Sequence, residues 1–356
     1  MAAYSSARSL VVNTNSKENL SSNHSTSQIQ AEKIYLDANE NSVTQSPWSR
    51  YPSQQPQALK AKLSEVFSIP ADRLIVTRGS DEAIDCLIRS FVRAEKDEVI
   101  SCPPTYGMYK TSTQTQGGIY TEIPLKNFDL DTEAVLSTIS EKTKLIFLCS
   151  PNNPTGNLLS SEKILKLLKS TEKRCLVVVD EAYFEFSDSE SWANQLENFP
   201  HLVVLRTLSK AYGLAGLRVG IAAAHQEVLQ ILKKVLAPYP IAACVEAEVL
   251  KSDLSGQTRA LILEQKKSLI DGLSKCKVFS TIYPSHANFI LCKISDQARV
   301  QSTDLVSGLR ENGVIIRDRN NDFGLDNCVR ITVGTAEQNN ILLERISSFE
   351  KKNSIR

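Results

Sequence analysis

From residue 74 onward the chain alternates between short unbroken apolar runs and longer stretches with helical spacing. The runs are LIVT (74–77), DEVISC (97–102), GIYTEI (118–123), KLIFLC (144–149), CLVVVD (175–180), LVVLRT (202–207) and RVGIAA (218–223). They are rich in β-branched residues and continuous rather than alternating, which marks strands covered on both faces. Between them, SDEAIDCLIRSFVRA (80–94) and SSEKILKLLKSTEK (160–173) place apolar residues at helical spacing behind a serine able to cap the first turn. Strands that alternate with helices predict an α/β fold: a large three-layer α/β/α domain around a sheet of about seven strands.

A second region begins near YPIAACVEAEVLKS (239–252) and runs on with helical spacing to about residue 274. Strand-like HANFILCKI (286–294), GVIIRD (313–318) and CVRITVG (328–334) then alternate with helical stretches near 303–312 and 336–350. That pattern predicts a smaller α+β domain. The boundaries expected are an N-terminal arm over 1–34, a large domain over 35–245 and a small domain over 246–356. The arm contains NTNSKENLSSNHSTSQIQ (13–30), polar and without periodicity, which predicts a partly disordered segment. It lacks the apolar centre of a signal peptide, and the expected location is cytoplasmic.

Composition narrows the function classes. A net charge of +1 leaves no electrostatic footprint for nucleic acid. No apolar run approaches the roughly 18 residues of a membrane helix. The eight cysteines form no CxxC pair and several lie inside apolar runs, so buried thiols are expected rather than a disulfide framework. The four histidines are scattered without metal-ligand spacing, and no metal is expected.

Ligands of open α/β sheets bind beyond the carboxyl ends of the strands, so the segments that follow each run carry the chemistry. These are RGSDEA after 74–77, SPNNPTG after 144–149, DEAY from Asp180, and LSK after 202–207. Each alone is commonplace: a capped helix, a turn-rich loop, a strand-end carboxylate, a lysine. No dinucleotide fingerprint and no GxxxxGK[ST] loop competes with them. The stretch TLSKAYGLAGLRVG (207–220) sets Lys210 and Arg218 around Ala211, Gly213, Ala215 and Gly216. Those small residues suggest close backbone approach beside two cations.

Taken together, these segments resemble a known family. YLDANEN (35–41), RYPSQQP (50–56), RGSDEAID (78–85), PPTYGMY (103–109), CSPNNPTG (149–156), VVDEAYFEF (178–186), LRTLSKAYGLAGLRVG (205–220), APYPIA (237–242) and VRITVGT (329–335) are similar to those of fold-type-I, class-II pyridoxal-phosphate-dependent aminotransferases. Within that family the resemblance is closest to the histidinol-phosphate aminotransferases. It implies pyridoxal 5'-phosphate as cofactor, a homodimer with shared active sites, and transamination between L-histidinol phosphate and 2-oxoglutarate in L-histidine biosynthesis. An aromatic-amino-acid aminotransferase and a threonine-phosphate decarboxylase share the same motifs. A pyridoxal-phosphate-binding regulator shares the core but adds a basic helix-turn-helix domain, which the Ser/Asn-rich head does not resemble.

The resemblance also assigns roles. Lys210 would hold the cofactor aldehyde and then shuttle the substrate's Cα proton. Asp180 would face the pyridine nitrogen and keep it protonated. Asn153 and Tyr183 would bond the phenolic oxygen, with a cis Asn153–Pro154 bond aiming the amide. Tyr106 would stack on the ring. Ser209, Arg218 and the helix start at Ser80 and Asp81 would hold the cofactor phosphate, joined by Tyr51 of the neighbouring subunit. Arg330 and Arg317 would supply two guanidinium forks for the substrate anion, with Asn39 and Tyr106 also at the substrate. Tyr4, in YSSAR, resembles an arm residue that closes over the substrate phosphate. Here the link from YSSAR to YLDANEN is longer and more polar than the family's usual one.

Overall fold

A computed structural model of the protein describes residues 34–44 and 46–355. The predicted apolar runs form a seven-stranded sheet: β1 (Leu74–Thr77), β2 (Glu98–Ser101), β3 (Ile119–Glu122), β4 (Thr143–Cys149), β5 (Leu176–Asp180), β6 (Leu202–Thr207) and β7 (Gly220–Ala224). Their order is β1-β7-β6-β5-β4-β2-β3, with β7 antiparallel to both neighbours and the pairs from β6 to β3 parallel. The unbroken apolar runs have a direct cause. Alternate residues of one strand enter two different cores: Val177 and Val179 pack on one face, Val178 on the other, and Val204 and Val203 divide in the same way.

Helices cover both faces. On the first lie α1 (Gln57–Phe67), α4 (Thr132–Thr138) and α5 (Ser161–Thr171), which contribute Leu63, Val135 and Leu168 to that core. On the second lie α2 (Gly79–Phe91), α3 (Met108–Thr115) and α6 (Gln226–Val235), with Leu87, Tyr109 and Leu232. The α3 sequence, MYKTSTQT, is rich in hydroxyl residues and weak in helix propensity. It stands because Tyr109 and Thr113 are wholly buried beneath it.

Three local expectations need correction. The run RVGIAA enters the sheet at Gly220 rather than Arg218, because Arg218 takes a left-handed φ of 52° that no strand accommodates. In GVIIRD only Arg317 and Asp318 pair as a strand; Gly313 turns the chain at φ 80° and the Val314 N–H stays bonded to the Leu309 carbonyl of α9 at 2.9 Å. The first core also extends past residue 245. Helix α7 (Ala243–Lys251) packs Val249 into it, and Lys62 Nζ donates to the carbonyls of Val249, Leu250 and Ser252 at 3.0, 2.9 and 2.7 Å. The helix on which a small domain was to begin is thereby tied to α1 and the first core.

The small domain is built from α8 (Gln257–Leu273), β8 (Phe279–Ile282), β9 (Phe289–Ile294), α9 (Ser302–Glu311), β10 (Arg317–Asp318), β11 (Cys328–Thr332) and α10 (Ala336–Lys352). Its sheet is antiparallel, in the order β10-β11-β9-β8. A cluster of Ala182, Tyr183, Phe186, Ala211, Ala287 and Phe289 joins it to the large domain. Thr258 of α8 adds a 3.0 Å bond to the carbonyl of Ala211.

Candidate active site

The segments after β1, β4, β5 and β6 converge on one cleft between the two domains, about 550 Å³ in volume. Its lining includes Ser80, Asp81, Tyr106, Asn153, Asp180, Tyr183, Ser209, Lys210, Arg218, Arg317 and Arg330. Of the other predicted residues, Tyr51 and Asn39 do not line it. Tyr51 is half exposed and stacks on Tyr239 at 4.5 Å. Asn39 is exposed, with a left-handed φ of 54°. Tyr4 lies outside the described residues.

Asp180 ends β5 on the face of Val178, and the same alternation that fills the second core turns its carboxylate toward Tyr109. The Tyr109 hydroxyl donates to Oδ2 at 2.8 Å and the Ala182 N–H to Oδ1 at 3.0 Å. Burial pushes this carboxyl up to about 6, against the opposing pull of Tyr109, Ala182 and Lys210. Tyr109 was not among the predicted site residues. It lies in the first turn of α3, three positions after Tyr106, which precedes that helix, and the two rings meet edge to face with their centres 5.7 Å apart.

Lys210 sits in the loop between β6 and β7, with Nζ 5.5 Å from the centre of the Tyr183 ring. Burial lowers its pKa, as do the Arg330 and Arg218 charges, while Asp81 and Asp180 oppose them. A lysine with this environment holds a larger neutral fraction than a solvated one. Tyr183 is buried and packs edge-on against Phe289 at 5.1 Å.

At the other end Arg218 gathers a cationic corner. Its Nη1 donates to Ser209 Oγ at 3.2 Å, and Nη2 to Asp81 Oδ2 at 3.1 Å. Asp81 also accepts from the Tyr106 hydroxyl at 2.9 Å. Its carboxylate is therefore occupied, and only its backbone N–H is left to meet an anion. No side chain caps the first turn of α2, so that turn keeps donors available beside Ser80 and Asp81.

Close backbone approach does occur here, though not at the glycines first suggested. A Cβ on Gly213 or Gly216 would meet nothing within 4 Å. On Gly220 it would lie 2.7 Å from Gly79 C and Ser80 N, and on Gly79 it would lie 2.6 Å from Arg218 Nη2. These two glycines bring the helix start, the strand and the guanidinium together. Gly213 is needed instead for its φ of 69°.

Across the cleft, β10 and β11 set Arg317 directly opposite Arg330. Arg330 Nη1 donates to Asn153 Oδ1, and the Asn153–Pro154 bond is cis as expected. Its guanidinium also lies 5.1 Å from the centre of the Phe289 ring. Arg319 and Asp322 line the same wall and were not anticipated, since nothing local separates them from solvated charges.

An amine of lowered pKa, a buried carboxylate and a cationic corner at a helix start thus share one interdomain cleft. Comparisons with known proteins show the family. The profile described as Aminotransferase class I and II matches residues 11–346. The histidinol-phosphate aminotransferase of Flavobacterium johnsoniae is 41% identical over 321 residues, which cover 89% of this chain and 90% of that protein. That of Blochmanniella pennsylvanica is 42% identical, over 80% of each. The chain belongs to the class I and II aminotransferases, in the histidinol-phosphate aminotransferase branch.

Solved structures share the fold. The histidinol-phosphate aminotransferase of Clostridium acetobutylicum superimposes with a TM-score of 0.77 at 24% identity, over 86% of this chain and 92% of that one. That of Sinorhizobium meliloti, in complex with pyridoxal-5'-phosphate, gives 0.76 at 22% identity, over 88% and 90%.

Proposed function

We propose that the protein binds pyridoxal 5'-phosphate and transaminates L-histidinol phosphate with 2-oxoglutarate, yielding imidazole-acetol phosphate and L-glutamate. The observation that carries this reading is the pairing of Arg317 and Arg330, opposite one another on one wall of the cleft that holds Lys210 and Asp180. One set of forks then serves both the phosphate of one donor and the carboxylates of the other.

The residues fit the cofactor. The α2 first turn, Ser209 and Arg218 form a cradle for its phosphate, and Gly79 and Gly220 leave the room a Cβ would fill. Bound there, the cofactor supplies an electron sink for charge developing at the substrate Cα. Lys210 takes the proton from that carbon and returns it on the other side of the exchange, a task helped by its lowered pKa. Asp180 would be the carboxylate that keeps the ring nitrogen protonated. Tyr183, Asn153 and Tyr106, which line the cleft, would hold the ring in place.

A half-reaction panel tests the assignment. The holoenzyme is mixed separately with histidinol phosphate, phenylalanine, threonine phosphate and glutamate, and the cofactor absorbance is followed. Rapid conversion by histidinol phosphate and glutamate is expected. Faster conversion by phenylalanine, or release of carbon dioxide from threonine phosphate, would reassign the activity within the family.

A further inference from the structure

A second cavity of about 430 Å³ lies between α9, β10, β11 and the turn that follows β10. It shares four lining residues with the cleft around Lys210: Arg317, Arg319, Asp322 and Arg330. All four are charged, three guanidiniums and one carboxylate.

Strand geometry explains why they meet. Arg317 and Arg319 are two residues apart, and the Arg319 N–H donates to the carbonyl of Cys328 at 2.9 Å, which continues the pairing of β10 with β11. Alternate residues of a strand share a face, so Arg319 joins Arg317 and its opposite, Arg330, on one side. Asp318, between them, is used elsewhere: its Oδ1 accepts from Ser302 Oγ at 2.8 Å and from the Asn320 N–H at 3.0 Å. Like charges placed opposite one another destabilise a strand pair. Three on one face form an arrangement that an anion relieves.

Arg319 is not consumed by structural bonds. One Nη pairs with Asp322 Oδ2, while its buried Nε has no partner among the described residues. Asp322 stays at this wall by its own backbone, whose N–H donates to the carbonyl of Arg319 at 3.0 Å. Burial disfavours the charge on Arg330, and Arg319 and Arg317 add to that, whereas Tyr183 and, less strongly, Asp322 oppose it.

We infer that Arg319, countered by Asp322, is a third guanidinium at the anion end of the cleft and sets its preference for a doubly charged phosphate ester over a carboxylate. Three cations less one carboxylate leave two positive charges on the shared wall, which match a phosphate monoester near neutral pH. A substrate carboxylate has one negative charge and can be held by the Arg330 fork without Arg319. The inference rests on the reading that the cleft takes amino donors with an anionic tail, and the test separates the two.

In the holoenzyme, inorganic phosphate is used as a competitive inhibitor of the glutamate reaction, and KM is measured for histidinol phosphate and glutamate. Arg319→Gln should raise the phosphate inhibition constant and the histidinol phosphate KM about tenfold, the glutamate KM far less, with kcat little changed. Asp322→Asn should act in the opposite direction and lower the phosphate inhibition constant about threefold, by removing a carboxylate that faces the anion. If the pair merely fastens the turn, both substitutions break one ion pair and must shift binding in the same direction. That result, or unchanged phosphate inhibition in both variants, overturns the inference. Should Arg319→Gln fail to fold, Arg319→Lys keeps the charge and should give a smaller loss of the same sign; an unchanged phosphate inhibition constant in it also counts against Arg319. A wild type that turns over glutamate but not histidinol phosphate would defeat the substrate assignment alone, because phosphate inhibition still decides the role of Arg319.

Discussion

At the scale of single residues the site contains two groups whose pKa burial moves away from the ordinary value. The Asp180 carboxyl stands at about 6 in the fold, against roughly 3.9 in an unfolded chain. Because folding raises it, the cost of ionising it in place enters as pH rises. Relative to Asp180→Asn, the cofactor-free wild type should keep its full stability below about pH 4, lose about 2 to 3 kcal/mol between pH 4 and 7, and change little above that. Urea titrations of both proteins across this range measure the difference. A gap that stays constant with pH would mean the carboxyl is not raised. For Lys210 the expectation is sharper: Lys210→Ala abolishes turnover, and borohydride fixes the cofactor to Lys210 in the wild type. Peptide mapping of the reduced protein checks it, and a label on another lysine would remove Lys210 from its role.

At the scale of elements, the stretch from Gly213 to Gly220 contains three glycines with three different duties. Gly220 lets β7 lie against the start of α2, so Gly220→Ala should drive the two apart. The expected cost is about 1 to 3 kcal/mol of stability, with faster loss of cofactor because the α2 donors move from Ser209 and Arg218. Gly213→Ala meets no atom and pays only for its positive φ, about 1 kcal/mol. Gly216→Ala meets nothing and has no such φ, so it should be close to neutral. Thermal melts of the three variants with and without cofactor test that ranking. Equal losses at Gly216 and Gly220 would show that backbone contact at the α2 start is not what the motif protects.

At the scale of the whole molecule, the first described residues present more apolar surface than a solvated segment carries. Ile34, Leu36 and Val43 are more than four-fifths exposed, and Trp48 and Tyr51 about half. Large exposed apolar surface marks an interaction site, and the family resemblance supplies a second copy of this chain as the occupant. A dimer is expected in sedimentation equilibrium at assay concentrations. Tyr51→Phe should weaken cofactor binding by about 0.5 to 3 kcal/mol, the scale of a hydrogen bond to a charged group. A fully active monomer would leave that surface and Tyr51 without this purpose.

What the sequence determined by itself is the sheet and which segments gather at its edge. Seven apolar runs became seven strands because continuous burial on two faces is written locally, residue by residue. The segments that bring Lys210, Asp180 and Asn153 to one cleft were legible because each ends or follows a strand, and the parallel strands of an α/β sheet send such segments to one edge. The tertiary structure decided the rest, where meaning depends on a partner far along the chain. Helix α3 has no strong local signal and exists because Tyr109 is buried; β8 is a half-exposed edge strand with an irregular register to β9. The bond from Tyr109 to Asp180 spans 71 positions, and the contact from Arg330 to Asn153 spans 177. Arg319 and Asp322 read as solvated charges until β10 and β11 pair and bring Arg317 opposite Arg330. Local pattern fixes which face of an element is buried, while only chain closure, with its long-range packing, fixes what that face meets.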